Sequence, residues 1–162
     1  CPAMKSKHKP QVGADAARKT ILLVDDDPSI RVMLNRVLTG EGYLVLSASN
    51  GAAALGIAAA NHIDLVLLDL NMPIQGGWDT FEKLTNNDPL LAVIIVTARH
   101  NQLFTAVGAG VGALLEKPLD FPMLLKTINA LLAESAELRL ARLTGRHTKF
   151  HYLPSTGGHR RN

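Results

Sequence analysis

Asp25, Asp26, Asp69, Thr97 and Lys117 are the residues whose types and places in this chain could do chemistry. Each stands at the end of a short aliphatic run. The clearest case is Asp64-Leu-Val-Leu-Leu-Asp69-Leu-Asn-Met-Pro73, where the run ends in one carboxylate and a Pro-containing loop follows. A buried parallel strand presents an acid at its C-terminal lip in this way, and open α/β sheets bind ligands at that lip. Three carboxylates converging on one crevice repel one another unless a cation sits among them. Hard oxygen donors with open positions suit Mg²⁺. Lys117 adds a point charge for an anion, and Thr97 adds a hydroxyl. Together these are the parts for moving a phosphoryl group onto a carboxylate. Plainer readings exist for each part. Asp25 to Asp27 can be a solvated helix cap, Thr97 an ordinary strand residue and Lys117 a loop charge. Matching chemistry at strand ends one, three, four and five outweighs them.

The elements that must position these groups follow from apolar spacing. Ile21 to Val24, Tyr43 to Leu46, Ile63 to Leu68, Leu91 to Val96 and Ala113 to Leu115 read as five strands. Asp27-Pro28 starts a helix carrying Ile30, Met33, Leu34, Val37 and Leu38. Asn50 caps an alanine-rich helix through Ala60, and Gly76-Gly77 leads into one carrying Trp78, Phe81 and Leu84. A weak helical segment spans 101–107. Asp120 caps a last helix with Leu124, Ile128 and Leu131 on its apolar face. Strands alternating with helices imply a parallel sheet in a three-layer α/β/α sandwich.

The formal charge of +3 is unevenly spread: residues 21–134 hold six basic and twelve acidic side chains between two basic tails. The charge balance therefore gives no reason to read the body as a nucleic-acid binder. No apolar run reaches the length needed to cross a bilayer, and no apolar h-region marks a secretory signal. A cytoplasmic place is expected. With Cys1 the only cysteine, no intrachain disulfide can form. Residues 1–19 read as a basic flexible segment. Residues 135–162 read as a basic extension, a helix end and then disorder. A continuation of the last helix through Leu138, Leu140 and Leu143 would support a homodimer.

Residues 20–134 resemble the response-regulator receiver domain of two-component signalling. The matching stretches are Ile21-Leu-Leu-Val-Asp-Asp-Asp-Pro28, Asp64 to Pro73 with Gly77, Ile94-Ile-Val-Thr-Ala98 and Glu116-Lys-Pro118. The resemblance implies a flavodoxin-like sandwich, five strands in the order 2-1-3-4-5 with five helices. It implies that Asp69 accepts a phosphoryl group from the phosphohistidine of a sensor histidine kinase or a histidine phosphotransfer protein. Asp25, Asp26, Asp69 and the backbone carbonyl of Asn71 would hold Mg²⁺. Lys117 would contact a phosphoryl oxygen, with a cis peptide before Pro118. Thr97 would move toward the installed group, and small Ala98 leaves access. Such a protein is a signalling switch rather than an enzyme, though it catalyses its own phosphorylation and dephosphorylation. It signals through partner proteins.

Two departures fall where that switch should respond. The family usually has an aromatic residue where this chain has Leu114, and the segment between Thr97 and Lys117 is short and carries Gly108, Gly110 and Gly112. Its helix should be short, with Leu103, Phe104 and Val107 either core or a docking surface. Arg99 flanks the crevice and is a candidate for slowing hydrolysis of the phosphoryl group. Two other functions compete. One is a fragment of a DNA-binding transcriptional regulator. The basic and aromatic tail (Arg146, Lys149, Phe150, Tyr152, Arg160, Arg161) shows no helix-turn-helix pattern, so sequence-specific DNA binding is not expected. His147, His151 and His159 lack metal-ligand spacing. The other is a haloacid-dehalogenase-like phosphatase, in which Asp25 would be the nucleophile.

Overall fold

The computed structural model describes residues 18–72, 76–99, 101–145 and 150–155. The expectation of a flexible segment over 1–19 lies outside the described residues for 1–17, as does the expected disorder of 156–162. Six parallel strands form one sheet: β1 (Thr20–Val24), β2 (Leu44–Ala48), β3 (Leu65–Asp69), β4 (Ala92–Thr97), β5 (Ala113–Glu116) and β6 (His151–Leu153). Their order is β2-β1-β3-β4-β5-β6. Six helices accompany them: α1 (Pro28–Gly40), α2 (Gly51–Ala60), α3 (Gly77–Asn87), α4 (Leu103–Gly108), α5 (Phe121–Leu132) and α6 (Ala136–Leu143).

Alternation along the strands builds a core on each face. Leu22, Val66, Leu68, Val93, Ile95 and Leu114 point toward α2, α3 and α4, meeting Ala54, Phe81, Leu84 and Ala106. Ile21, Leu23, Leu65, Leu67, Ile94 and Leu115 point the other way, onto Leu34 and Leu38 of α1 and Leu124, Ile128 and Leu131 of α5. Strands β1, β3, β4 and β5 are buried on both faces, which is why they read as continuous aliphatic runs. The caps sit where the sequence puts them. Asp27 accepts from the Ser29 amide at 2.8 Å, Asn50 from Ala53 at 2.8 Å and Asp120 from Met123 at 3.1 Å.

The C-terminal region corrects three expectations. The last helix does not continue past Glu134. It stops at Leu132, and Ser135 caps a new helix by accepting from the Leu138 amide at 3.2 Å. Leu124, Ile128 and Leu131 are spent on the domain's own core, so among the described residues the expected stripe through Leu138 is broken between α5 and α6. The chain after Leu143 is not disordered throughout: His151–Leu153 adds a sixth strand to β5, with Ala113 opposite His151, Leu114 opposite Tyr152 and Leu115 opposite Leu153. A three-residue strand has too little periodicity to show in sequence. Its order comes from the edge it pairs with, from Phe150 on one core and from Leu153 on the other.

Helix α6 is clamped across the ends of the sheet. Arg142 holds the Glu134 carboxylate in a pair about nine-tenths buried on both sides. Arg139 donates to the Leu90 carbonyl at 3.2 Å and the Leu131 carbonyl at 3.1 Å. Two of the three glycines read as weakening a helix, Gly110 and Gly112, lie where α5 and α6 pass. A Cβ at Gly110 would stand 2.8 Å from a Leu143 methyl, and one at Gly112 would stand 2.9 Å from the Leu131 methyls. Gly110 also has φ +75°, which favours glycine. Removing one member of a buried pair leaves the other charge uncompensated. Arg142→Ala is therefore expected to lower stability by about 3 kcal/mol in urea denaturation. A change within experimental error would show that the clamp holds nothing.

Candidate functional site

The strand ends assemble the site at one edge of the sheet. Asp25 follows β1, Asp69 ends β3, Thr97 ends β4, and Lys117 follows β5. Register aligns them, with Val24 beside Leu68, Asp69 beside Val96 and Thr97 beside Glu116. Carboxylate oxygens of Asp25, Asp26 and Asp69 all lie within 4.8 Å of one another. Asp25 and Asp69 are each 2% exposed, whereas Asp26 faces solvent. The Lys117 ammonium bridges the buried pair, at 3.3 Å from Asp25 Oδ2 and 3.4 Å from Asp69 Oδ2.

Backbone donors fix the other oxygens. The Asp27 amide reaches Asp25 Oδ1 at 2.9 Å, and the Asn71 amide reaches Asp69 Oδ1 at 3.0 Å. Asn71 therefore lies on the loop directly beside Asp69. Gly77 lets this loop close onto α3, since a Cβ there would stand 2.6 Å from the Leu70 Cα and 2.8 Å from the Asp69 carbonyl oxygen. Thr97 is fully buried, and its hydroxyl accepts from the Arg99 amide at 3.0 Å. The Thr97 carbonyl accepts from the Lys117 amide at 2.8 Å, and the Lys117–Pro118 peptide is cis. Ala98 and Arg99 are both exposed. In α4, Leu103 packs against the core while Val107 is exposed.

Burial raises the Asp25 carboxyl above its ordinary value, and the nearby charge of Asp69 adds to this. The Asp27 amide and Lys117 act against it. The site thus holds more negative charge than one ammonium neutralises. Such a donor set, all hard oxygens with one member open to solvent, fits a small divalent cation.

Three contributors were not legible beforehand. Arg31, one turn into α1, donates to the Asp25 carbonyl at 2.6 Å. Trp78 Nε1 donates to Gln102 Oε1 at 2.9 Å, tying α3 to the start of α4. Tyr152, from β6, stands beside Leu114 in register and donates its hydroxyl to Glu116. The aromatic side chain missing at Leu114 thus has a neighbour in the appended strand. Only the i, i+4 spacing of Arg31 from Asp27 could have been noticed in sequence.

Residues 21–129 match the response regulator receiver domain family. The chain belongs to that family. It is 40% identical over 119 residues to the transcriptional regulatory protein GlrR of Escherichia coli, covering 72% of this chain and 27% of that one. It is 39% identical to protein PilH of Pseudomonas aeruginosa, covering 70% of this chain and 97% of PilH. Among solved structures, a CheY-like receiver domain protein from Methanospirillum hungatei shows 30% identity and a TM-score of 0.69, covering 72% of this chain and 94% of that one. The response regulator TrrA of Thermotoga maritima, solved in complex with Mg²⁺-BeF, shows 30% identity and a TM-score of 0.65, covering 70% of this chain and 98% of that one. This is the flavodoxin-like fold of the family, with one strand and one helix beyond the expected five of each. Membership in the receiver family sets aside the haloacid-dehalogenase-like reading. No helix among the described residues is long and apolar enough to cross a membrane.

A carboxyl whose folded value is raised binds its proton more tightly folded than unfolded. Stability therefore falls as pH rises from the unfolded value of 3.8 through the raised one, and the loss is complete above it. Without divalent cations, Asp25→Asn is expected to stabilise the protein at neutral pH, with the gain fading as pH falls through that window. Denaturation midpoints of both proteins across pH test this. A gain that grows on acidification would contradict it.

Proposed function

We propose that this receiver domain takes a phosphoryl group onto Asp69 from the phosphohistidine of a sensor histidine kinase or a histidine phosphotransfer protein, and passes the signal to a partner protein. The observation that carries this reading is the Lys117 ammonium, 3.4 Å from Asp69 and 3.3 Å from Asp25 within a three-carboxylate cluster.

In the transfer, an Asp69 carboxylate oxygen attacks phosphorus as the phosphorus–nitrogen bond to the donor histidine breaks. Little covalent work falls to the protein, so positioning and charge neutralisation dominate. The Asn71 amide on Oδ1 orients the nucleophile. Lys117 offers its charge to the arriving phosphoryl oxygens, and the Thr97 hydroxyl, at the end of the neighbouring strand, would turn toward the product. Asp25 and Asp26 with Asp69 and the Asn71 carbonyl are the residues that would hold Mg²⁺, which supplies charge neutralisation for phosphoryl oxygens when bound. The Thermotoga maritima relative's complex with Mg²⁺-BeF favours that ion. Water attack on the phosphorus would return free Asp69, so the protein would promote its own resetting without being an enzyme for other substrates.

An apolar groove of about 430 Å³ beside Lys117, lined by Ile30, Met33, Pro118, Leu119 and Phe121, suits an apolar helical face of the donor protein. The chain spans 27% of GlrR but 97% of PilH, so both transcriptional regulators and short proteins are among its relatives. A role as the receiver part of a DNA-binding regulator is the second reading, supported by the regulator relatives alone.

Phosphotransfer from a kinase carrying labelled phosphohistidine should label the wild type only with Mg²⁺ present. Asp69→Asn should take up no label, and Lys117→Ala should slow uptake by roughly 10² or more, as loss of one charge-stabilising group does. Full labelling of Asp69→Asn would exclude the proposed acceptor. Arg99→Ala should lose the label faster if its side chain shields the site, and an unchanged rate would remove that role.

A further inference from the structure

The three carboxylates of the cluster are not held alike. Asp25 receives the Asp27 amide at 2.9 Å, Asp69 receives the Asn71 amide at 3.0 Å, and Lys117 reaches both. Among the described residues no such donor fixes the Asp26 carboxylate, which faces solvent. Its direction is set by its backbone. The peptide joining Asp25 to Asp26 is planar, so whatever anchors the Asp25 carbonyl also sets the line along which Asp26 leaves it. The Asp25 amide is still bound to the Ala48 carbonyl, at the end of β2, at 3.2 Å. Its carbonyl is taken by a side chain, with Arg31 Nη1 donating at 2.6 Å. The Arg31 amide meanwhile donates to the Asp27 carbonyl at 3.1 Å. One residue of α1 thus grips both ends of the acidic turn, Asp25 through its guanidinium and Asp27 through its backbone.

We propose that Arg31 is a positioning residue for a divalent cation: by holding the Asp25 carbonyl, it keeps the Asp26 carboxylate turned toward Asp25 and Asp69. This rests on the reading of Asp25, Asp26 and Asp69 as the ligands of Mg²⁺. Arg31 acts through Asp26 rather than on the ion. A guanidinium at this place has two effects of opposite sign. Its charge repels a cation, while its hydrogen bond preorganises the ligands. The charge is partly exposed and screened by salt. Outer partners that orient metal ligands are typically worth roughly 10- to 100-fold in affinity. Orientation therefore outweighs repulsion. An arginine suits this task better than a lysine, because its planar fork holds a direction that a rotating ammonium does not. Arg36 is the contrast within α1. It is exposed and lines the same cleft as Arg31, beside Asn35 and Ser47, and among the described residues no hydrogen bond ties it to the acidic turn.

Mn²⁺ binding to the full chain, followed by water proton relaxation with Mg²⁺ as competitor, tests this role. Arg31→Met keeps the stem and removes the donor and its charge, so it should weaken binding of both ions by about tenfold. Arg31→Lys restores the charge with a less directed donor, and should bind between Arg31→Met and the wild type. Arg36→Met removes the same charge from α1, and should bind as tightly as the wild type or slightly tighter. In the metal-free protein, the Asp26 and Asp27 amides should exchange hydrogen faster in Arg31→Met, with the amides of β1 and β3 unchanged. Arg31→Met binding as tightly as the wild type, or tighter, would overturn the proposal, and so would an equal loss in Arg36→Met. Arg31→Lys binding more weakly than Arg31→Met, the order that repulsion demands, would overturn it as well. Mn²⁺ binding that Asp26→Asn leaves unchanged would overturn the cation reading and the role of Arg31 with it. The expected order of affinities in a chain that takes up no phosphoryl group would support Arg31 and overturn only Asp69 as acceptor.

Discussion

The Lys117 ammonium shared by Asp25 and Asp69 is the interaction on which the rest depends. Two buried carboxylates cannot both stay charged at this distance without a cation, and one lysine serves both. The fold exists around this requirement. A parallel sheet is the arrangement that delivers side chains from strands β1, β3, β4 and β5 to a single edge, because all its strand ends point one way. Buried aliphatic strands hold the register, and the loops after them carry the charges. Burial keeps the Asp25 carboxyl raised, with the Asp69 charge adding to it, and three carboxylates against one ammonium make a donor set of the kind that suits a small cation.

Much of this was legible in the sequence because its physics is local. Five aliphatic runs, three Asp or Asn caps and the lip residues mark themselves by type and spacing. What was not legible depends on contacts between distant segments. Gly110 and Gly112 read as weak helix positions, yet they lie beyond α4, where Leu143 and Leu131 leave no room for a Cβ. Ser135 read as an interruption of a heptad and is instead the cap of a separate helix. Tyr152 read as one aromatic in a basic tail, and only the pairing of β6 with β5 brings its hydroxyl to Glu116.

The C-terminal region changes how the departure at Leu114 is understood. A leucine there is buried and fully packed, so it offers no hydroxyl and no exposed ring to redistribute. The adjacent strand carries both, on the same face, at an exposure of 38%. Helix α6, fixed by Arg139 and Arg142, brings the chain back toward that edge. The crevice at the strand ends uses residues of the family pattern, whereas Tyr152 and β6 belong to the extension.

The most direct measurement of the acceptor claim is chemical trapping of the phosphorylated residue. After exposure to acetyl phosphate and Mg²⁺, borohydride reduction and peptide sequencing should mark Asp69 alone. A mark on Asp25, or on no aspartate, would contradict the assignment of Asp69 as the residue that takes the phosphoryl group.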